Sequence, residues 1–533
     1  MDLRSRILAG DFLENIVLLQ KTAENKDVDA IPELFDLHDH PLNDPPVDNM
    51  ITDTIRSLLS GNEALTIQGL NHESPKIRLL CARIAGANRF QSSVSHLLKM
   101  LGEIEETDDI LNLLTVLTEI KPEDYIDKIK PYIHHPDDTI AGIAAETLAE
   151  TGRAAYRLDF ERIINDAEAD DKYADCSIVT YKAIEGLGNI KNDESISFLV
   201  KKIHHRNPSA RQCIHRELVK MGVKIVPHLE PIFHLNDETL ENIDKKIMAA
   251  NVIGFMKDKK GGDLLVQALD RGTANHPNVR YAIYDAFGAI HFMKGLMCLL
   301  DALNEKDIII LTAVMSALNT QVFPGVLEKL NGIIRAKDDQ SMRIVNAVVI
   351  SRAFEIVKPL YAEDDLADLM VDAVAKSGDD SLKKSFSEVI LQTGKVRSAA
   401  DVKRFESVAA DMAVKRALAL DDSKSLLFIY KSALAAIGFD VTTALNGREA
   451  YDIVEKGGVF DVVVTDLNMP EMDGIEFTKR FRMIYPKTPV IMVTTESESS
   501  QVTLASRIGV SAFMKKPFTP EALQEKVKQM VGV

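Results

Sequence analysis

Val462-Val463-Val464-Thr465-Asp466-Leu467-Asn468-Met469-Pro470 decides how the C-terminal part of this 533-residue chain folds. Three β-branched apolar residues in a row read as a strand buried on both faces. The strand delivers a carboxylate, Asp466, to its carboxyl end. Asn468-Met469-Pro470 and then Asp473-Gly474 turn the chain at once. In an open parallel sheet the carboxyl ends of the strands are where ligands and chemistry sit. An acid at that point is a candidate functional residue.

Working outward, strands and helices alternate from Lys415 to the end. Ala417 to Leu420 reads as a strand ending in Asp421-Asp422, and a helix follows from about Lys424 to Ile437. Asp440 to Ala444 is a second strand and Gly447 to Lys456 a second helix. After the opening strand, Asp461 to Thr465, come a helix over Glu476–Ile484 and a strand over Pro489–Thr494. A helix over Gln501–Ile508, a strand over Ala512–Met514 and a helix over Pro520–Met530 complete the series. Five βα units in this length predict a doubly wound parallel sheet with strand order 2-1-3-4-5.

Asp421-Asp422, Asp466, Thr494 and Lys516-Pro517 fall after strands one, three, four and five. Together with the run Asp466-Leu467-Asn468-Met469-Pro470-Glu471-Met472-Asp473-Gly474, they make residues 414–533 resemble a response-regulator receiver domain of the chemotaxis type, an α/β flavodoxin-like fold. The resemblance implies that Asp466 accepts a phosphoryl group from a cognate histidine kinase. It implies Mg²⁺ held by Asp421, Asp422, Asp466 and the backbone carbonyl of Asn468. It assigns Thr494 and Lys516 to the phosphoryl group, Thr494 and Phe513 to a conformational switch, and a cis peptide to Lys516–Pro517. The chemistry is consistent: three clustered carboxylates repel unless a hard cation sits among them, and oxygen ligands suit Mg²⁺. Two departures bear on the lifetime of a phosphoryl group. Thr495 is bulkier than the small residue common beside the switch threonine, and Phe513 lacks a tyrosine hydroxyl.

Before this domain, residues 398–413 read as a helical linker with Val402, Phe405, Val408, Ala409 and Met412 on one side. It contains neither a Gly/Ser nor a Pro run, so a stiff connection is expected.

Residues 1–397 read as helix after helix. Apolar residues recur at three and four spacing, as in Ile140, Ile143, Ala144, Thr147, Leu148 and in Val252, Ile253, Phe255, Met256. Four segments place a proline before an Ala-rich helix, at Pro75, Pro136, Pro208 and Pro277. Proline-free copies fit near Asp108, Tyr173, Leu240, Asp307 and Asp339. Ser74 or Asn207 would cap such a helix while Pro at its first turn loses no needed hydrogen bond. A repeat of about 30–37 residues is in the range of paired-helix solenoids. Pro, a small apolar residue and Arg, then an Ala-rich helix and Gly, resemble HEAT repeats. That resemblance implies an extended α-solenoid with a concave surface, with atypical caps at residues 1–50 and 350–400.

Candidate chemistry in the array is sparse. His38-Asp39-His40, His134-His135 and His204-His205 lack the converging third and fourth ligands of a metal site and read as inter-helix histidines. His291-Phe292-Met293-Lys294-Gly295 faintly resembles a phosphoryl-accepting helix, and it falls where a turn between two repeat helices is needed. No nucleophile elbow, phosphate-binding glycine loop or zinc-helix motif occurs in residues 1–413.

The net charge is −17. From Val414 onward there are 15 basic and 15 acidic residues, so the excess, 48 basic against 65 acidic, lies before it. An acidic body argues against nucleic acid as the partner. Apolar runs are too short to span a bilayer, and Asp11 and Glu14 interrupt the first 20 residues where a signal peptide needs an apolar core, so a cytoplasmic protein without membrane insertion is expected. Cys81, Cys176, Cys213 and Cys298 lack metal or redox spacing and read as buried free thiols.

These observations lead to a two-component response regulator rather than an enzyme. Phosphorylation of the receiver would control binding of an unidentified protein by the helical array. Two alternatives stay open: a phosphorelay intermediate or phosphate sink whose array docks the kinase, and an enzymatic output concealed in the array. The receiver leaves a homodimer open.

Overall fold

A computed structural model describes residues 2–120, 126–169, 176–235, 239–377, 380–406, 415–494, 508–516 and 518–531. The chain forms two compact units, one of residues 1–163 and 177–190, the other of residues 164–176 and 191–533. Among the described residues no helix is long and apolar enough to cross a membrane.

The first unit is all α. Among the described residues five α-helices, Leu3–Ala9, Phe12–Glu24, Ile31–Asp39, Pro45–Leu59 and Glu63–Leu70, precede a regular succession. In that succession α1 (Pro75–Ala87), α2 (Thr107–Ile120), α3 (Asp138–Glu150) and α4 (Ile178–Ile190) pack each on the next. Shorter helices such as Val94–Glu103 lie between them.

The second unit continues the pattern with α5 (Pro208–Met221), α6 (Leu240–Met256), α7 (Pro277–Ile290), α8 (Ile308–Asn319), α9 (Asp339–Ile350), α10 (Asp364–Lys376) and α11 (Ser398–Glu406), again each on its neighbour. Small residues set the approach of these helices. A side chain at Gly288 on α7 would place its Cβ 2.8 Å from the Cα of Ala317 on α8, so only glycine permits this contact.

The helix starts follow the proline reading, with corrections. Pro75, Pro208 and Pro277 are the first helical residues, and the Asn207 side chain accepts the Ala210 N–H at 3.0 Å. Ser74 does not cap: its hydroxyl donates to Asp39 Oδ1 at 2.6 Å, a carboxylate being the stronger partner. Pro136 stands outside its helix, which Asp137 caps by accepting from Thr139 and Ile140. Phe255, read as part of an apolar face, is exposed. The copy near Tyr173 lies outside the described residues, and the helix there begins at Ile178. All four cysteines are free, but only Cys81 and Cys213 are buried; Cys176 and Cys298 are half-buried.

The linker helix is described as far as Glu406, and Val408, Ala409 and Met412 lie outside the described residues. Its described part is anchored rather than free. Tyr361 donates to Asp401 Oδ2 at 2.7 Å, Arg397 Nε pairs with the same oxygen at 2.6 Å, and Phe405 is buried.

Beyond it lies a five-stranded sheet of β1 (Lys415–Leu420), β2 (Phe439–Ala444), β3 (Val462–Asp466), β4 (Val490–Thr494) and β5 (Ala512–Lys515). All neighbours are parallel and the order is β2-β1-β3-β4-β5. Alternate side chains of β1 and β3 serve opposite faces. Ala417, Ala419, Val462 and Val464 pack with α12 (Lys424–Ala435) and with Leu523 and Val527 of the last helix. Leu418, Leu420 and Val463 pack with α13 (Gly447–Glu455) and α14 (Gly474–Ile484), and the last helix is α15 (Pro520–Val531). β3 and β4 are buried along their whole length, which explains their unbroken apolar sequences. The Gln501–Ile508 helix, Thr495 and the Lys516–Pro517 peptide lie in or against segments outside the described residues.

Candidate phosphorylation and cation site

The site follows from strand register. Leu420 of β1 stands opposite Thr465 of β3, so Asp421 and Asp466 leave adjacent strands at neighbouring heights. Asp466 stands opposite Val493, which brings Thr494 beside it on β4, and Thr494 stands opposite Lys515, which puts Lys516 at the same edge.

The turn after β3 is tightly built. Asp466 Oδ1 accepts the Leu467 N–H at 2.8 Å, and Gly474 N–H donates to the Leu467 carbonyl at 2.9 Å. A Cβ on Gly474 would fall 2.1 Å from the Asp466 carbonyl oxygen, so the chain returns over the strand end only with glycine there. The helix therefore starts at Gly474 rather than at Glu476, with Asp473 Oδ1 capping it through Glu476 N–H at 2.7 Å.

Oxygen atoms of Asp421, Asp422 and Asp466 all lie within 4.8 Å of one another, the one such cluster among the described residues. Lys516 Nζ pairs with Asp421 Oδ2 at 2.8 Å and Asp466 Oδ2 at 3.0 Å. Asp421 also accepts from Ser423 N–H at 2.9 Å and from the Tyr430 hydroxyl at 3.0 Å. Asn468 lines the same cavity of about 90 Å³, which is room for a cation and several waters.

Burial dominates the electrostatics. It pushes the Asp466 carboxyl up to about 7; Lys516 opposes the shift and the neighbouring Asp421 and Asp422 charges add to it. Asp421 is raised for the same first reason. Burial lowers Lys516, but the Asp421 and Asp466 charges outweigh it and hold the ammonium above its ordinary value. Lys516 on Asp421 and Asp466, with Arg211 on Asp422, leaves the three acids one negative charge in excess when all are ionised, and an all-oxygen donor set fits a hard divalent cation.

Thr494 is buried at the end of β4, and its carbonyl accepts the Lys516 N–H at 2.8 Å. Phe513 is half-buried on the edge strand β5, packed against Leu467 and Met492. Phe513 stands opposite Met492, two residues before Thr494 on the neighbouring strand.

Two participants were missed in the sequence. Tyr430 lies nine residues after Asp421, one helix face along, and carries no pattern of its own. Arg211 lies far back on α5, where it counted only as part of the proline repeat. Its Nη2 reaches Asp422 Oδ2 at 2.5 Å. The histidines of the array do not converge. His291 takes a left-handed conformation at the end of α7, in the turn before the helix Met293–Asp301, and His205 is buried against the Ile164 carbonyl at 3.2 Å.

The sequence of this segment is similar to known proteins. The family model for the response regulator receiver domain matches residues 417–528. The Campylobacter jejuni chemotaxis protein CheY homolog is 42% identical over 118 residues, covering 22% of this chain and 91% of that protein. The Helicobacter pylori chemotaxis protein CheY1 is 37% identical over 118 residues, covering 22% and 95%. A solved structure of Vibrio cholerae chemotaxis protein CheY4 covers 22% of this chain and 99% of its own, with 38% identity and a TM-score of 0.22. Through its C-terminal domain the chain belongs to the response-regulator receiver family. The helical residues before it lie outside the matched segment.

Proposed function

We propose that the chain is a response regulator in two-component signalling whose receiver is phosphorylated on Asp466 by a histidine kinase. The observation that carries this reading is the cluster of Asp421, Asp422 and Asp466 with Lys516 at the carboxyl edge of the sheet. Asp421, Asp422 and Asp466, with the Asn468 carbonyl, would hold Mg²⁺. The cation supplies charge neutralisation between the incoming phosphoryl group and the acids. Lys516, already beside Asp466, takes a phosphoryl oxygen, and Thr494 donates its hydroxyl to another. The inward pull on Thr494 frees space for the Phe513 ring and changes the face around β5.

In this reading the helices of residues 1–397 are a HEAT-like solenoid joined by a linker over 398–413, and they bind a protein partner whose access the receiver controls. The receiver assists only its own phosphoryl transfer and hydrolysis, and the protein works in the cytoplasm. A test uses Mg²⁺ with beryllofluoride, a phosphoryl mimic, on wild type and Asp466→Ala. The mimic is expected to alter partner capture by wild type and leave the variant unchanged. An identical response in both, or none in either, refutes the reading. Rapid passage of label from Asp466 to a second histidine protein would instead indicate a relay.

A further inference from the structure

The acidic cavity has walls from both parts of the second unit. Asp421, Asp422, Asp466 and Lys516 form the receiver side, and Arg211 on α5 with Ile247 on α6 faces them. The Arg211 side chain is 11% exposed and that of Asp422 20%. Asp422 is the one ion-pair partner of Arg211 among the described residues, and its other described hydrogen bond is a long one to the His205 carbonyl at 3.4 Å. Burial lowers the guanidinium, and the Asp422 and Asp466 charges more than restore it. A second contact fixes the same docking: α12 lies against α7 and α8, with Tyr281 and Phe428 rings 5.5 Å apart.

We propose that Arg211 is a built-in cation for the receiver's acidic pocket, which latches the array to the receiver and competes with the divalent cation for Asp422. The Asp422 oxygen that accepts a short, charge-assisted bond from Arg211 has its charge already engaged. A dication entering among the three acids meets a positive charge already seated on Asp422, within one side chain's reach. Cation loading therefore loosens Arg211, and with it the seat of α12 on α7 and α8. Conversely, docking of the array weakens cation binding, because the coupling is reciprocal. This rests on the cation site proposed above and adds to it a regulator within the same chain.

Isothermal titration of the full-length chain with Mg²⁺ tests the competition, and hydrogen exchange in α12 tests the latch. Arg211→Met keeps the apolar stem and removes the charge. It is expected to tighten Mg²⁺ binding by about tenfold or more and to speed exchange in α12 without metal. Tyr281→Ala, which weakens docking without touching a charge, is expected to shift both readouts the same way. Circular dichroism verifies that the helices are retained. If wild type and Arg211→Met bind Mg²⁺ equally, or the variant binds it more weakly, the latch is overturned and the cation site stands. If Tyr281→Ala leaves Mg²⁺ affinity at the wild-type value, docking does not hold Arg211 in the pocket, and the proposal fails. If neither protein binds Mg²⁺, both proposals fail together.

Discussion

At the scale of single residues, Asp466 carries a measurable signature. Its carboxyl is raised from 3.8 to about 7, chiefly by burial. The folded state thus holds its proton more tightly than the unfolded chain. Its contribution is intact below pH 4 and is lost as pH rises toward 7. Asp466→Asn cannot ionise, so without divalent cation it should gain stability over wild type as pH rises, by of the order of 3 kcal/mol at pH 8 and almost nothing at pH 4. Denaturant unfolding at both pH values in chelator measures this, and Mg²⁺ should remove the gain. A difference independent of pH would contradict it. Asp421, Asp422, Asp466, Thr494 and Lys516 were legible because each terminates a strand whose apolar run is itself legible. Tyr430 and Arg211 were not. A helix-borne tyrosine and an arginine 211 positions from its partner meet the site only through packing.

At the scale of elements, the turn between β3 and α14 is the part with least freedom. Gly474→Ala would drive a methyl group into the Asp466 carbonyl, against backbone that cannot swing aside. Its expected cost is about 2 kcal/mol or more, with reduced phosphorylation of Asp466 because the strand end must shift. Thermal unfolding and labelling by a small phosphoryl donor would measure the two effects, and wild-type values in both would show that the turn has slack. The sheet order could be read from the alternation of five apolar strands with helices. Ends were less legible. β1 begins at Lys415, two residues before its apolar run, because parallel pairing with Phe439 extends it. The misread cap at Ser74 has a similar origin: its partner, Asp39, is 35 residues away and belongs to another helix.

At the scale of the whole molecule, charge and succession of helices set the behaviour. The chain's net −17, concentrated before Val414, predicts no retention on random duplex DNA at about 0.15 M salt, and a mobility shift under those conditions would contradict it. The helix starts at Pro75, Pro208 and Pro277 were legible because proline marks them locally. How the helices meet the receiver was not, since no local pattern encodes a contact between segments more than a hundred residues apart. The ring pair of Tyr281 and Phe428 at that contact has an optical consequence. The chain contains no tryptophan. A Phe428→Trp variant therefore carries one indole, placed on the seam, and its emission colour becomes a private gauge of whether the seam is dry or wet.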